Sequence, residues 1–122
     1  MKRVLDVGNC DPDHAAITAF LTSHFEVRVD RSRLPADTLE KLRAEPYDLV
    51  VINRKLDEDY SDGVEILRTI KADAALKATR VMLITNYEEH QEAAVAEGAL
   101  RGFGKLEYAK PETVERVRAV LG

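Results

Sequence analysis

The sequence predicts an α/β protein whose parallel sheet is covered by helices on both faces. Strand-like and helix-like segments alternate from end to end in five pairs, a pattern that is typical of parallel sheets. Residues 49–52 and 81–84 are apolar without alternation, as expected of strands that are buried on both faces. No linker, repeat or low-complexity segment divides the chain, so residues 1–122 are interpreted as one domain.

The first half of the chain begins with a short apolar strand at residues 4–7. Asp11 is expected to cap the helix that follows, with Pro12 in its first position, where a missing N–H costs nothing. Residues 25–29 alternate between apolar and polar side chains and predict a strand with one wetter face. Residues 35–45 predict a second helix, which a proline opens and another proline stops.

The second half repeats the alternation after the apolar strand at residues 49–52. A fourth helix is expected to begin at Thr85 or Asn86, either of which could cap it. It should end before Gly98, which suits a left-handed turn at a helix C-terminus. A short strand around residues 102–104 then precedes a last helix that opens at Pro111.

The composition of the chain argues against several classes of function. The net charge of −4 argues against a nucleic-acid-binding surface, which normally needs a basic face. No apolar run approaches the roughly 20 residues that span a bilayer, and the charged N-terminus does not resemble a signal peptide. A single cysteine excludes an internal disulfide and suits a reducing compartment. These features predict a cytoplasmic protein that binds neither nucleic acid nor membrane.

Several segments, taken in register, carry a resemblance to a known family. The strand at residues 47–51, the acidic-glycine pair at 62–63, Thr85 at the end of a strand, and the spacing from the Gly-Ala pair at 98–99 to Lys105 together resemble the receiver domain of two-component response regulators. The resemblance covers nearly the whole chain. It implies a flavodoxin-like (βα)5 sandwich with a five-stranded parallel sheet in the order 2-1-3-4-5, as in CheY-like proteins.

The chain departs from this family at the phosphate-accepting position. The resemblance places Asn53 where receivers carry an aspartate, and a neutral carboxamide lacks the charge and nucleophilicity to attack phosphorus. The loop that follows, residues 55–62, is charged and longer than is usual in the family. The resemblance therefore implies an atypical pseudo-receiver without its phosphoacceptor.

The acidic pair that holds Mg²⁺ in receivers is replaced as well. One alignment places Asn9 and Cys10 at its two positions, and another places Gly8 and Asn9 there. Asp11 and Asp6 are then the remaining carboxylates nearby, and a hard cation needs several such ligands. Mg²⁺ binding is accordingly predicted to be weak or absent, and no other cofactor is expected.

Lys105 and Thr85 lose their usual partners in this interpretation. With the acidic pair gone, Lys105 is expected to form a buried ion pair with Asp6, or a pair with Asp11. The aromatic residue that reports phosphorylation in receivers corresponds to Gly102, so a relay from Thr85 has no second member. The degenerate pocket is thus assigned to the residues at the carboxyl ends of the strands: Asn9, Cys10, Asp11, Asn53, Thr85 and Lys105.

The predicted function is phosphorylation-independent signalling through protein–protein contact. The resemblance implies that the last two helices and the fifth strand form the partner or homodimer surface, and a sensor kinase or another regulator is the expected partner. The chain would act as a stand-alone regulator or as one domain of a longer protein. Candidate contact residues on this surface are Arg101, Phe103, Lys110, Glu115, Arg116 and Arg118.

Three alternatives compete with this prediction. An active receiver could use Asp57 or Asp59 as a displaced acceptor, and the emptied pocket could bind a small ligand. Thiol catalysis at Cys10 is disfavoured because residues 11–16 are acidic and contain no arginine to hold a phosphate. The protein is therefore predicted not to be an enzyme. Residues 88–92 are interpreted as a solvated helix face.

Overall fold

The computed structural model describes residues 1–122 and contains one sheet of five parallel strands in the order β2-β1-β3-β4-β5. The predicted fold class and sheet order are therefore confirmed. The strands are β1 (Lys2–Val7), β2 (Val27–Ser32), β3 (Leu49–Asn53), β4 (Val81–Ile84) and β5 (Leu100–Phe103). The helices are α1 (Asp11–His24), α2 (Pro35–Ala44), α3 (Gly63–Ala72), α4 (Glu88–Ala96) and α5 (Pro111–Leu121).

Two hydrophobic cores lie on opposite faces of the sheet because side chains alternate along each strand. Leu5, Val50 and Leu83 point toward a core that includes residues of α2, α3 and α4. Val51 and Met82 point toward the other core, which includes residues of α1 and α5. The central strands are thus apolar on both faces, which explains why their sequences show no alternation.

Several element boundaries differ from the prediction by one or two residues. Cys10, not Asp11, is the N-cap of α1, so Pro12 occupies the second helical position. Phe25 still belongs to the end of α1, since its N–H donates to Leu21 O, and β2 therefore begins later than predicted. Gly98 has φ +104° just beyond α4, as the C-terminal turn requires.

The loop at residues 54–62 folds back on itself instead of being wholly exposed. Lys55 and Asp62 pair as an isolated antiparallel bridge, and Leu56 between them is fully buried. Gly8 has φ +77°, and a Cβ placed there would lie 2.2 Å from Leu56 Cδ2. The Gly8 position therefore has to be glycine, because the Leu56 side chain occupies the space above it.

The carboxyl ends of the central strands meet at one edge of the sheet, where ligands bind in folds of this class. Asn53 ends β3, Thr85 follows β4 and Lys105 comes shortly after β5. None of the five helices combines the length and apolar composition that crossing a bilayer requires.

Candidate functional site

Asn53 uses its side chain to close the loop that follows it. Its Nδ2 donates to Lys55 O at 2.7 Å and lies 3.5 Å from Gly8 O. Both partners are backbone carbonyl oxygens, so this position needs a donor. A carboxylate could not make either hydrogen bond in the same orientation, because it only accepts. The structure gives Asn53 a structural role in the loop at the end of β3.

Asp6 does not pair with Lys105, and this part of the prediction is wrong. Asp6 is fully buried in β1 and accepts a hydrogen bond from Asn9 Nδ2 at 2.6 Å. Its other carboxylate oxygen lies 2.6 Å from His14 Nδ1, which reaches it from the first turns of α1. Burial raises the pKa of Asp6 and outweighs the hydrogen bonds from His14 and Asn9. Asp6 therefore lies beneath the loops, where α1 supplies its partner.

Lys105 pairs instead with Asp13, which sequence analysis did not single out. Its Nζ lies 2.6 Å from Asp13 Oδ2, and the hydrogen bond from Lys105 lowers the pKa of the Asp13 carboxyl. Asp11, the other expected partner, points outward and lies 2.8 Å from Arg31 Nη1. Asp13, and not Asp11, is thus the acid in the first turn of α1 that faces Lys105.

The predicted degenerate pocket is only partly assembled. Asn53, Thr85 and Lys105 line one cleft at the carboxyl edge of the sheet. Asn9 is turned away toward Asp6, and Asp11 toward Arg31. Cys10 lies at the N-cap of α1 and does not line the cleft either. The set at the strand ends is therefore split between the cleft and the start of α1.

Thr85 lies beside a hydrogen-bond network that was not predicted. Its Oγ1 accepts from Tyr87 N at 3.3 Å, but the N-cap of α4 is Tyr87 and no side chain caps the helix. Gln91, in the segment interpreted as a solvated face, is 2% exposed. Its Nε2 donates to Leu83 O at 3.0 Å and to Thr85 O at 3.2 Å.

Gln91 also crosses to β5, where its Oε1 accepts from Gly102 N at 2.8 Å. β5 carries one extra residue here, since Met82 pairs with Leu100 and Ile84 with Phe103. A Cβ at Gly102 would lie 2.1 Å from Leu83 O, so no side chain fits at this position. The position that corresponds to the family's aromatic residue is therefore closed by backbone contact.

The cleft itself is a cationic depression of about 200 Å³. Three of its lining residues are basic, and none is acidic. Arg54 was not singled out from the sequence, although its position directly after β3 could have indicated it. The cleft is lined by Asn53, Arg54, Lys55, Ile84, Thr85, Asn86, Tyr87 and Lys105.

The residues present do not fit the magnesium site of a receiver. No three His, Cys, Asp or Glu side chains converge where they could hold one metal ion. Asp6 is buried with His14 on one carboxylate oxygen, Asp13 accepts a hydrogen bond from Lys105 through its Oδ2, and Asn53 at the end of β3 carries an amide. A hard cation would have to displace these partners to gain oxygen ligands.

The candidate displaced acceptors lie outside the cleft. Asp57 and Asp59 are both exposed on the loop at residues 54–62. Asp59 Oδ1 accepts from the backbone N–H and the hydroxyl of Ser61, and the hydroxyl's hydrogen bond lowers the pKa of Asp59. Neither carboxylate lines the cleft that contains Lys105.

The assignment of Phe103 to the predicted partner surface is wrong. Phe103 is fully buried and packs against Phe20 and Tyr108, because the extra residue in β5 turns its side chain into the core. Arg116 is half-buried and donates to Gly102 O. The other four candidates are exposed, and each forms an ion pair at the surface. Arg101 pairs with Glu88 and Lys110 with Glu107, and the candidates Glu115 and Arg118 pair with each other.

Comparison with known proteins agrees with this architecture. No protein-family profile matches the chain, and no curated protein matches its sequence. Solved structures do match it along almost its whole length. The signal receiver domain of a DNA-binding response regulator from Colwellia psychrerythraea aligns with a TM-score of 0.82 at 20% identity, covering 98% of this chain and 97% of the other.

Two further structures show the same similarity. A putative response regulator from Chloroflexus aurantiacus has a TM-score of 0.82 at 17% identity and covers 98% of this chain and 97% of its own. The chemotaxis response regulator CheY4 of Vibrio cholerae has a TM-score of 0.77 at 18% identity, with 99% of both chains covered. The chain therefore has the receiver-domain fold of two-component response regulators.

Proposed function

We propose that this protein is a phosphorylation-independent, receiver-like signalling module that acts through protein–protein contact. One observation carries the proposal: the Asn53 amide donates to Lys55 O, at the end of the strand where receivers place their acceptor carboxylate. The amide is not a nucleophile toward phosphorus, and its donor role fits a permanent structural function. The Asp6–His14 and Asp13–Lys105 pairs support the proposal because they already occupy the neighbouring carboxylates.

Treatment with acetyl phosphate and Mg²⁺, followed by intact-mass measurement, tests the first half of this proposal. We expect no added phosphoryl group under conditions that label an ordinary receiver. A stable adduct would contradict the proposal. If Asp57→Asn or Asp59→Asn then abolished the adduct, the protein would be an active receiver with a displaced acceptor.

The second half concerns the surface formed by α4, β5 and α5. Arg101 and Arg118 lie exposed there, and the expected partner is a sensor kinase, another regulator or a second copy of the chain. Arg101→Glu is the informative variant, because Arg101 is exposed and its ion pair with Glu88 lies at the surface. Arg43→Glu is a matched control, since Arg43 on α2 is also exposed and ion-paired, with Asp73.

Pairwise binding of these variants to an identified partner, or self-association measured by sedimentation, provides the readout. We expect Arg101→Glu to weaken the interaction and Arg43→Glu to leave it unchanged. Pretreatment of the wild-type protein with acetyl phosphate should have no effect on the affinity. Equal effects of the two substitutions would show that the interaction uses another surface.

A further inference from the structure

We infer that the cleft at the carboxyl edge of the sheet is a binding site for a small phosphate-bearing anion, held by Arg54, Lys55 and Lys105. All three cations line the cleft, and no carboxylate does. Lys105 is the only one of the three with an acidic partner, Asp13. Two positive charges in a shared depression are therefore left without compensation.

Arg54 is the strongest part of this observation. It is half-buried, yet it is the only arginine of the chain whose side chain makes neither an ion pair nor a hydrogen bond. The others contact carboxylates or backbone carbonyl oxygens elsewhere in the protein. A guanidinium has five donors in a planar fork that matches two oxygens of one phosphate, so leaving it unpaired at a cleft points to a ligand.

Lys55 and the neutral lining residues complete the site. The Lys55 ammonium makes no ion pair and lies 5.7 Å from the centre of the exposed Tyr60 ring. Asn86 uses its Oδ1 to accept from Leu106 N, which leaves its amide nitrogen as a donor. Tyr87 is the N-cap of α4, so the N-terminus of this helix lies at the cleft wall, where Glu88 and Glu89 of its first turn offset part of the helix dipole.

Charge and size select the class of ligand. Two uncompensated cations balance a phosphate monoester dianion, whereas a single carboxylate would balance only one of them. The cleft of about 200 Å³ is smaller than the roughly 300–1,000 Å³ that is typical of drug-sized ligand sites. An adjacent depression shares Arg54 and Lys55 and reaches Tyr60 and Asp62, so a phosphate ester could extend in that direction.

The inference rests on the proposed function in one respect, namely that no residue of the cleft captures the phosphoryl group covalently. Bound anion would then depend only on its concentration and affinity. Asp62, the nearest acid of the adjacent depression, accepts from Val64 N at the start of α3 and is held by that helix cap. No carboxylate lines the cleft itself, whereas Asp62 lines only the adjacent depression.

Titration of the ¹⁵N-labelled protein with inorganic phosphate at constant ionic strength tests the site. We expect saturable shift changes, with a Kd in the millimolar range or below, at the amides of Arg54, Lys55, Asn86, Tyr87 and Lys105. AMP carries the same phosphate on a larger group, so tighter binding of AMP would support an ester extending toward Tyr60. Equal binding of adenosine and AMP would overturn the inference, because adenosine lacks the phosphate.

Arg54→Gln should weaken phosphate binding about tenfold or more, since a hydrogen bond between charged groups is lost. Lys77→Gln is the matched control, because Lys77 is an exposed lysine in the connection that precedes β4, away from the carboxyl edge. We expect its Kd to equal that of the wild type. Shifts that do not saturate, or that persist unchanged in Arg54→Gln with a native spectrum, would overturn the inference.

This experiment also separates the two proposals. Inorganic phosphate does not phosphorylate a carboxylate under these conditions, so the titration reports non-covalent binding alone. An adduct with acetyl phosphate at Asp57 or Asp59 would contradict the proposed function and leave the titration result standing. Absence of phosphate binding would overturn the anion site and leave the proposed function standing.

Discussion

Gln91 is expected to hold α4, β4 and β5 in a single arrangement, and its replacement by methionine tests this. The side chain is buried and makes three hydrogen bonds, to Leu83 O, Thr85 O and Gly102 N. Methionine has a similar length and helix propensity but can neither donate nor accept strongly. The substitution therefore removes the hydrogen bonds with little change in volume.

The expected loss follows from the groups left unpaired. A buried N–H without an acceptor costs about 1–3 kcal/mol, and the two carbonyl oxygens add less because each has a second lone pair. We expect Gln91→Met to lower the free energy of unfolding by about 2–4 kcal/mol. For a chain of 122 residues this corresponds to a decrease in Tm of roughly 8–16 °C.

Urea denaturation followed by circular dichroism measures the change. Glu92→Met is the control, because Glu92 is the exposed neighbour of Gln91 on α4 and the two residue types have similar helix propensity. We expect the control to differ from the wild type by less than about 0.5 kcal/mol. Equal midpoints for the two variants would refute the role assigned to the Gln91 hydrogen bonds.

Three further predictions concern the site. The pair with Lys105 lowers the pKa of Asp13, so its contribution to stability is present above the unfolded carboxyl pKa and is lost as the pH falls through the folded pKa. Lys105→Met should therefore raise the Asp13 pKa in an NMR titration and reduce the loss of stability at acid pH. An unchanged Asp13 pKa would contradict the pairing. Gly102→Ala should destabilise the protein by several kcal/mol in thermal unfolding, because a Cβ would lie 2.1 Å from Leu83 O; a Tm equal to that of the wild type would contradict the close approach. Asn53→Asp alone should not gain robust labelling by acetyl phosphate, because the acidic pair that holds Mg²⁺ in receivers is replaced here; strong labelling of this variant would show that the carboxylates near β1 suffice.

The parts of the fold that depend on apolar runs could be predicted from the sequence. The continuous runs at residues 49–52 and 81–84 are β3 and β4, and both are buried on the two faces of the sheet. The short strand predicted around residues 102–104 corresponds to β5, which begins two residues earlier, at Leu100. These signals are local, and burial on both faces leaves few other ways to arrange them.

The side-chain partners at the site could not be predicted in the same way. Which acid of α1 meets Lys105 depends on the rotation of the helix about its axis, and in the structure Asp13 faces Lys105 whereas Asp11 pairs with Arg31. Phe103 was assigned to the surface because sequence does not reveal the extra residue in β5 that turns it inward.

The burial of Gln91 could not be predicted for a different reason. Its neighbours along α4 are charged, so the segment has the composition of a solvated face, and a polar residue that satisfies backbone groups in the interior leaves no apolar signal. Arg54 was overlooked because an arginine after a strand is common, and only the absence of a partner in three dimensions distinguishes it.

A Mg²⁺ titration of the ¹⁵N-labelled protein measures most directly whether the carboxylates of this edge are available. In the structure, Asp6 pairs with His14 and Asp13 pairs with Lys105. Arg54 and Lys55 give the cleft a positive charge. We predict no saturable shift changes near Asn53 in the low-millimolar range. Saturable binding there in that range or tighter would contradict the account.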